Sequence, residues 1–207
     1  MTPRRGLLLD FGGVITSDFY GALRSFCVRE GLAADAIESV LRTRPDVRAI
    51  LKDAECGRVP QAVLEAAMGA ALGVTAVGLA RRLCADLRPC QPVLDLAARA
   101  RDRGIRVGVL SNSWGSGTDG GYDAYAGYDL ESRFDAVVIS DQVGMSKPDA
   151  PIYVLAAGEL GVAPSACVFA DDNLPYLPPA QALGMATVHF TEPETGVARL
   201  AEYLGLS

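Results

Sequence analysis

The amino-acid sequence predicts an α/β fold, a doubly wound parallel sheet with a small all-helical insertion after its first strand, and three observations carry that prediction. An apolar run of strand length, Gly6-Leu7-Leu8-Leu9, drives into the carboxylate of Asp10, with Gly12 and Gly13 close behind. Residues 18–88 then show helical periodicity with no convincing strand. Beyond Pro92, helices and strands alternate in units short enough to join parallel neighbours.

In chain order, the first strand ends at Asp10, and the glycines after it let backbone approach a ligand closely. Helices are expected over Asp18–Glu30, Ala33–Thr43, Pro60–Leu72 and Thr75–Leu87, punctuated by Gly31, Pro45, Gly57 to Pro60 and Gly73. Val93–Arg103 reads as a helix closed by Gly104, and Ile105–Leu110 as a strand ending at Ser111-Asn112. A glycine-rich stretch with aromatics, residues 113–128, reads as a flexible lid at that strand's carboxyl end. Ala136–Ile139 and Cys167–Ala170 are strands, the second ending at Asp171-Asp172; Ala186–Phe190 is the last strand. Pro151–Leu160, Pro178–Leu183 and Glu194–Leu204 are the intervening and final helices.

Composition bounds the function. Half of the 207 residues are apolar, enough for a substantial core, and the net charge is −6. With no basic surface to neutralise phosphate backbones or acidic headgroups, neither nucleic acid nor a membrane is an expected partner. The few apolar residues between Arg5 and Asp10 are too short a run for a signal-peptide core or a spanning helix, so a cytoplasmic location is the default expectation. Five cysteines without a CxxC pair suggest neither a disulfide framework nor a zinc site. The single histidine, His189, closes a strand far from any nucleophile elbow, so serine- and cysteine-triad chemistry is set aside.

Strand ends of a parallel sheet share one rim. That rim would gather Asp10, Ser111 with Asn112, and Asp171 with Asp172, with Lys147 in the segment Gly144-Met145-Ser146-Lys147-Pro148-Asp149. Three clustered carboxylates repel unless a hard cation sits among them through oxygen, usually magnesium. Lys147 reads equally well as a counter-charge for an anionic ligand or as a solvated surface lysine. Ser111 and nearby backbone N–H groups can donate to phosphate oxygens.

The pieces LLLDFGGV, VGVLSNS, GMSKPDAPIY and VFADDNLPYLPPAQALGM resemble, in order and spacing, the four motifs of the haloacid dehalogenase-like hydrolases. The resemblance implies a Rossmann-like core over residues 1–17 and 89–207 and a helical cap over 18–88. It implies that Asp10 is a nucleophile forming an aspartyl-phosphate, that Ser111 and Asn112 hold the phosphoryl group, and that Lys147 neutralises charge. It also implies Mg²⁺ held by Asp10, the Gly12 carbonyl, Asp171 and Asp172, and a small phosphorylated substrate.

One position departs from the pattern. Phosphatases of this family commonly carry a second Asp two residues after the nucleophile, and here that residue is Gly12. General acid–base help of that kind is worth about 10²–10⁴-fold. A magnesium-dependent phosphatase is the leading expectation. A haloacid-type dehalogenase, which needs no second Asp, and a non-catalytic phospho-ligand-binding or scaffolding protein are the alternatives. Asp18 is the nearest spare acid, though it reads first as a helix N-cap. Arg58, in the loop that breaks the helical block, is a candidate substrate grip or a solvated arginine.

Overall fold

The computed structural model describes residues 4–206; residues 1–3 and 207 of the expected core lie outside the described residues. Five parallel strands, β1 (Gly6–Leu9), β2 (Arg106–Ser111), β3 (Ala136–Ile139), β4 (Cys167–Asp171) and β5 (Ala186–His189), form one sheet in the order β3-β2-β1-β4-β5. The expected α/β class is therefore the observed one. The chain leaves β1 in both directions across the sheet, so the strand order reverses at β1. In open α/β sheets a ligand crevice opens at such a point.

Alternation along β1 sorts the core into two faces. Leu7 and Leu9 join Val93, Leu96 and Leu200 from α6 (Gln91–Asp102) and α11 (Pro193–Leu204). Leu8 points the other way, to Ile152 and Tyr153 of α9 (Ala150–Glu159) and Leu177 and Ala180 of α10 (Leu177–Ala182). With both faces covered, the strands read as continuous apolar runs.

The segment between β1 and α6 folds into five helices: α1 (Phe19–Arg29), α2 (Ala36–Thr43), α3 (Pro45–Glu55), α4 (Gln61–Leu72) and α5 (Leu79–Leu83). They share a third core built on Leu23, Phe26, Ile37, Val47, Met68 and Leu79. Asp18 does cap α1, its carboxylate accepting from the Gly21 N–H at 2.9 Å. The helix α3 is the main departure from the sequence reading, which took Pro45 as punctuation between elements. Pro45 occupies the first turn, where its missing N–H has no helical partner to lose, so it opens a helix instead of closing one. The helix expected over Thr75–Leu87 shrinks to α5, because Gly78, at φ 66°, cannot lie inside a helix and precedes it. Two one-turn helices, α7 (Leu130–Arg133) and α8 (Ser140–Val143), are too short to leave a periodic signal.

The helical block is tied to the core beside Lys147. Lys52 on α3 donates to Ser146 Oγ at 2.7 Å and pairs with Asp149 at 2.9 Å. Gly57, at φ 64°, lies so close to the Asp141 backbone that a side chain there would strike the Asp141 carbonyl oxygen. Among the described residues no helix is long and apolar enough to cross a membrane.

Candidate functional site

Asp10 follows β1 directly and keeps its register, its N–H donating to the Ala170 carbonyl at 2.9 Å. Asp171 ends the adjacent β4, and Ser111 ends β2 on the other side. Phe11–Ile15 makes a kinked turn in which Gly13 adopts φ 72°. A Cβ on Gly13 would overlap the Asp172 carboxylate, so this glycine is what admits Asp172 to the cluster. Oxygens of Asp10, Asp171 and Asp172 thereby come within 4.8 Å of one another.

Lys147 binds this group together. Only 1% exposed, it places Nζ 2.8 Å from Asp10 Oδ1 and 2.6 Å from Asp171 Oδ2. Burial works against its ammonium, but the two carboxylates outweigh burial and raise its pKa, so it is a fixed positive charge. The solvated-lysine alternative does not describe this side chain. Burial, and next the Asp10 charge, push both Asp171 and Asp172 well above the usual carboxylate range. A bound cation would offset that cost. The donor set is all oxygen, without Cys or His, and suits a hard cation such as Mg²⁺.

Asn112 and Ser111 are already engaged. Asn112 brackets the Lys147 backbone, its Nδ2 donating to the Lys147 carbonyl at 3.0 Å and its Oδ1 accepting from the Lys147 N–H at 2.9 Å. That pair of bonds holds the lysine segment against β2. Ser111 Oγ shares a 3.0 Å hydrogen bond with the Tyr125 hydroxyl. Tyr125 is buried, and its ring and that of Tyr128 pack on Phe11 at 4.6 and 4.8 Å between centroids. The Gly/Tyr-rich loop is also clamped to α4: Gln61 accepts from the Tyr122 N–H, and Asp119 accepts from the Gln61 N–H. It is a pinned cover, not the free lid its composition suggests.

A cavity of about 200 Å³ runs from Asp10, Gly12, Lys147 and Asp172 up to the helical block. Its upper walls are largely apolar, with Phe19, Leu23, Ile37, Leu51 and Trp114 among them. Gly12 has φ −67° and ψ 129°, a conformation open to any residue, and a Cβ there would make an ordinary 3.4 Å contact with the Phe19 ring. Its lack of a side chain is therefore not imposed by the backbone.

Arg58 does not reach this cavity; it pairs with Asp53 at 3.0 Å on the surface. His189 donates from Nε2 to the Asp172 carbonyl at 3.0 Å and takes no place in the cavity. Glu55, three residues before Arg58, does line it and is only 7% exposed. The sequence offered a signal for Glu55, an acid at the end of a helical segment, but with α3 unrecognised its direction was hidden.

The model of the haloacid dehalogenase-like hydrolases matches residues 5–184. The chain belongs to that family. A bifunctional epoxide hydrolase 2 of Sus scrofa is 33% identical over 116 residues, 56% of this chain but 21% of its own length. The putative phosphatase YhcW of Bacillus subtilis is 30% identical over 107 residues, 50% of this chain and 46% of its own. The chain thus matches half or less of the length of these relatives. A family enzyme of Bacteroides thetaiotaomicron in complex with magnesium and inorganic phosphate superposes with a TM-score of 0.62 at 21% identity, covering 89% of this chain and 93% of that one. A dehalogenase with an intermediate complex gives 0.70 at 20% identity, covering 99% and 98%. At such identities the two structures establish a shared fold. Phosphatases and dehalogenases both occur among the proteins this family member resembles.

Proposed function

We propose that this hydrolase is a magnesium-dependent phosphatase of a small phosphate ester, with Asp10 as nucleophile and residues 18–88 as a cap over the core. The observation that carries the reading is the convergence of Asp10, Asp171 and Asp172 around the buried Lys147 ammonium. Asp10, the Gly12 carbonyl, Asp171 and Asp172 would hold Mg²⁺, which when bound neutralises charge on the phosphoryl oxygens.

The chain's own groups do the rest. Lys147 pairs with Asp10 at 2.8 Å, orients it, and lies where charge develops in phosphoryl transfer. Asn112 fixes the Lys147 main chain, and Ser111, anchored by Tyr125, stands at the rim beside Asp10. The largely apolar upper walls of the cavity would face the leaving group. Support from relatives is the putative phosphatase YhcW and the magnesium and phosphate bound by a structural neighbour.

The test is release of inorganic phosphate from a panel of phosphate esters, with magnesium and with excess chelator, for wild type and Asp10→Asn. Magnesium-dependent release that Asp10→Asn abolishes is the expected result, and it excludes a merely ligand-binding protein. A second reading, a dehalogenase, is favoured by Gly12 and the apolar cavity. Halide release from a 2-haloacid in chelator, dependent on Asp10 and without phosphatase activity, would select it.

A further inference from the structure

The absence of an acid at Gly12 leaves phosphate-ester cleavage without its proton donor, unless another side chain of the cavity supplies one. Lys147 cannot, because two carboxylates hold its proton. The phenols of Tyr20, pushed to about 12 by burial, and of Tyr125 and Tyr176, raised further by the same cause, are too weak as acids. Glu38 also lines the cavity, but it is engaged with Arg24 through Oε1 at 3.4 Å. Asp171 and Asp172 belong to the cation site.

One acid remains. Glu55 stands at the carboxyl end of α3, buried, and lines the cavity that Asp10 and Gly12 line from below. The helix that carries it is tied to the residues flanking Lys147 by Lys52 on Ser146 and Asp149. We propose that Glu55 is a catalytic residue, donating a proton to the leaving-group oxygen and then acting as the base for water. This rests on the phosphatase reading above.

Burial pushes the Glu55 carboxyl up to about 7, against the pull of Lys52, Lys147 and the Asn112 amide and with a push from Asp10. Tyr176 is the further titratable group that senses it. A carboxyl near neutrality serves both as acid and as base at neutral pH.

The steps balance. As an Asp10 oxygen bonds to phosphorus and the ester P–O bond breaks, the Glu55 proton passes to the departing oxygen and the alcohol leaves. Water then attacks phosphorus, giving its proton to the Glu55 carboxylate. The Asp10–phosphorus bond breaks with its electron pair returning to Asp10, and phosphate departs from a regenerated enzyme. Phe19 lies beside Gly12 and lines the same cavity as Glu55, so a leaving group held in that cavity would lie between the Phe19 ring and the end of α3.

The experiment compares benzyl phosphate, whose alkoxide needs a proton, with 4-nitrophenyl phosphate, whose leaving group scarcely does. The proteins are the full chain as wild type, Asp10→Asn, Glu55→Gln and Glu55→Gln with Gly12→Asp, all with saturating magnesium. Glu55→Gln is expected to lower benzyl phosphate turnover by roughly 10²–10⁴-fold and to lower 4-nitrophenyl phosphate turnover far less. The benzyl-to-nitrophenyl ratio should fall above neutral pH in wild type and stay flat in Glu55→Gln, whereas Gly12→Asp should restore part of it. Asp10-dependent turnover with a ratio unmoved by Glu55→Gln overturns the role of Glu55 and leaves the phosphatase intact. No Asp10-dependent phosphate release from either ester by wild type overturns the phosphatase and this role with it. Should Glu55→Gln fail to fold, Glu55→Asp decides: a loss confined to benzyl phosphate supports the role, and an equal loss on both esters overturns it.

Discussion

Two adjacent glycines, Gly12 and Gly13, should respond in opposite ways to the same substitution. At Gly13 an alanine meets φ 72°, and the left-handed region costs an L-residue roughly 1–2 kcal/mol. Its methyl group also overlaps the Asp172 carboxylate, which must leave its rotamer at about 0.5–1.5 kcal/mol. Together these give a loss of about 1.5–3.5 kcal/mol, a large share of the roughly 5–15 kcal/mol that stabilises a typical domain. At about 2–4 °C per kcal/mol for a chain of this size, the melting temperature should drop by roughly 3–14 °C. At Gly12 an alanine meets an ordinary extended backbone and a 3.4 Å contact with Phe19. The smaller entropy of its unfolded chain should leave that variant neutral or more stable by up to about 1 kcal/mol. Thermal unfolding with and without magnesium reads both effects, because a ligand that binds only the folded state raises the melting temperature. Gly13→Ala should lose most of that increment and Gly12→Ala should keep it. Equal destabilisation by the two substitutions, or a Gly13→Ala protein with the wild-type magnesium response, would refute the placement of Asp172.

Lys147→Met leaves Asp10 and Asp171 buried without their counter-charge, and urea unfolding without metal should show a loss of about 3–5 kcal/mol; Lys147→Arg should not restore turnover, since a planar fork does not replace a compact ammonium. Glu55 binds its proton more tightly folded, at about 7, than at its ordinary value of 4.5. Its contribution to stability is therefore complete below that ordinary value and is lost as pH rises toward neutrality. Glu55→Gln should match wild type in unfolding at pH ~4 and exceed it at pH ~8 by up to roughly 3 kcal/mol, at 1.36 kcal/mol per unit; equal stability at both pH values would contradict its burial. Asp172→Asn should weaken the magnesium-induced rise in melting temperature and turnover together, and full activity in chelator would remove the metal from the proposal. Gly12→Asp added to Glu55→Gln should raise the ratio of alkyl to aryl phosphate turnover over that of Glu55→Gln alone, by up to about 10²–10⁴-fold, and an unchanged ratio would show that this position does not face the leaving oxygen.

The strands were legible because each is an apolar run closed by a polar residue, and burial on both faces demands that composition of a central parallel strand. Ala136–Ile139 was read to the residue, and the other strand ends fell within one position. Helices α1, α4, α6, α9, α10 and α11 were expected to within two residues of their observed ends. Where reading failed, local signals had two meanings: Pro45 opens α3 although a proline within a helical pattern also breaks one, and Gly78 cuts the expected helix to α5.

From the residues alone, the chain's order of strands and the acids that end them already placed Asp10, Asp171 and Asp172 on one rim, because parallel strands must all end on the same side. The resemblance to the family's motifs added that the acid its phosphatases commonly carry is absent at Gly12. Only tertiary structure decided that Lys147 is buried between two carboxylates, that Asn112 spends its amide on the lysine backbone, and that Glu55 enters the cavity while Arg58 stays outside. The physical reason is range. A strand end is a local property of pattern and chirality, whereas the direction of a side chain on α3 depends on how two separately packed cores meet, through contacts such as Lys52 with Asp149, residues far apart in the chain.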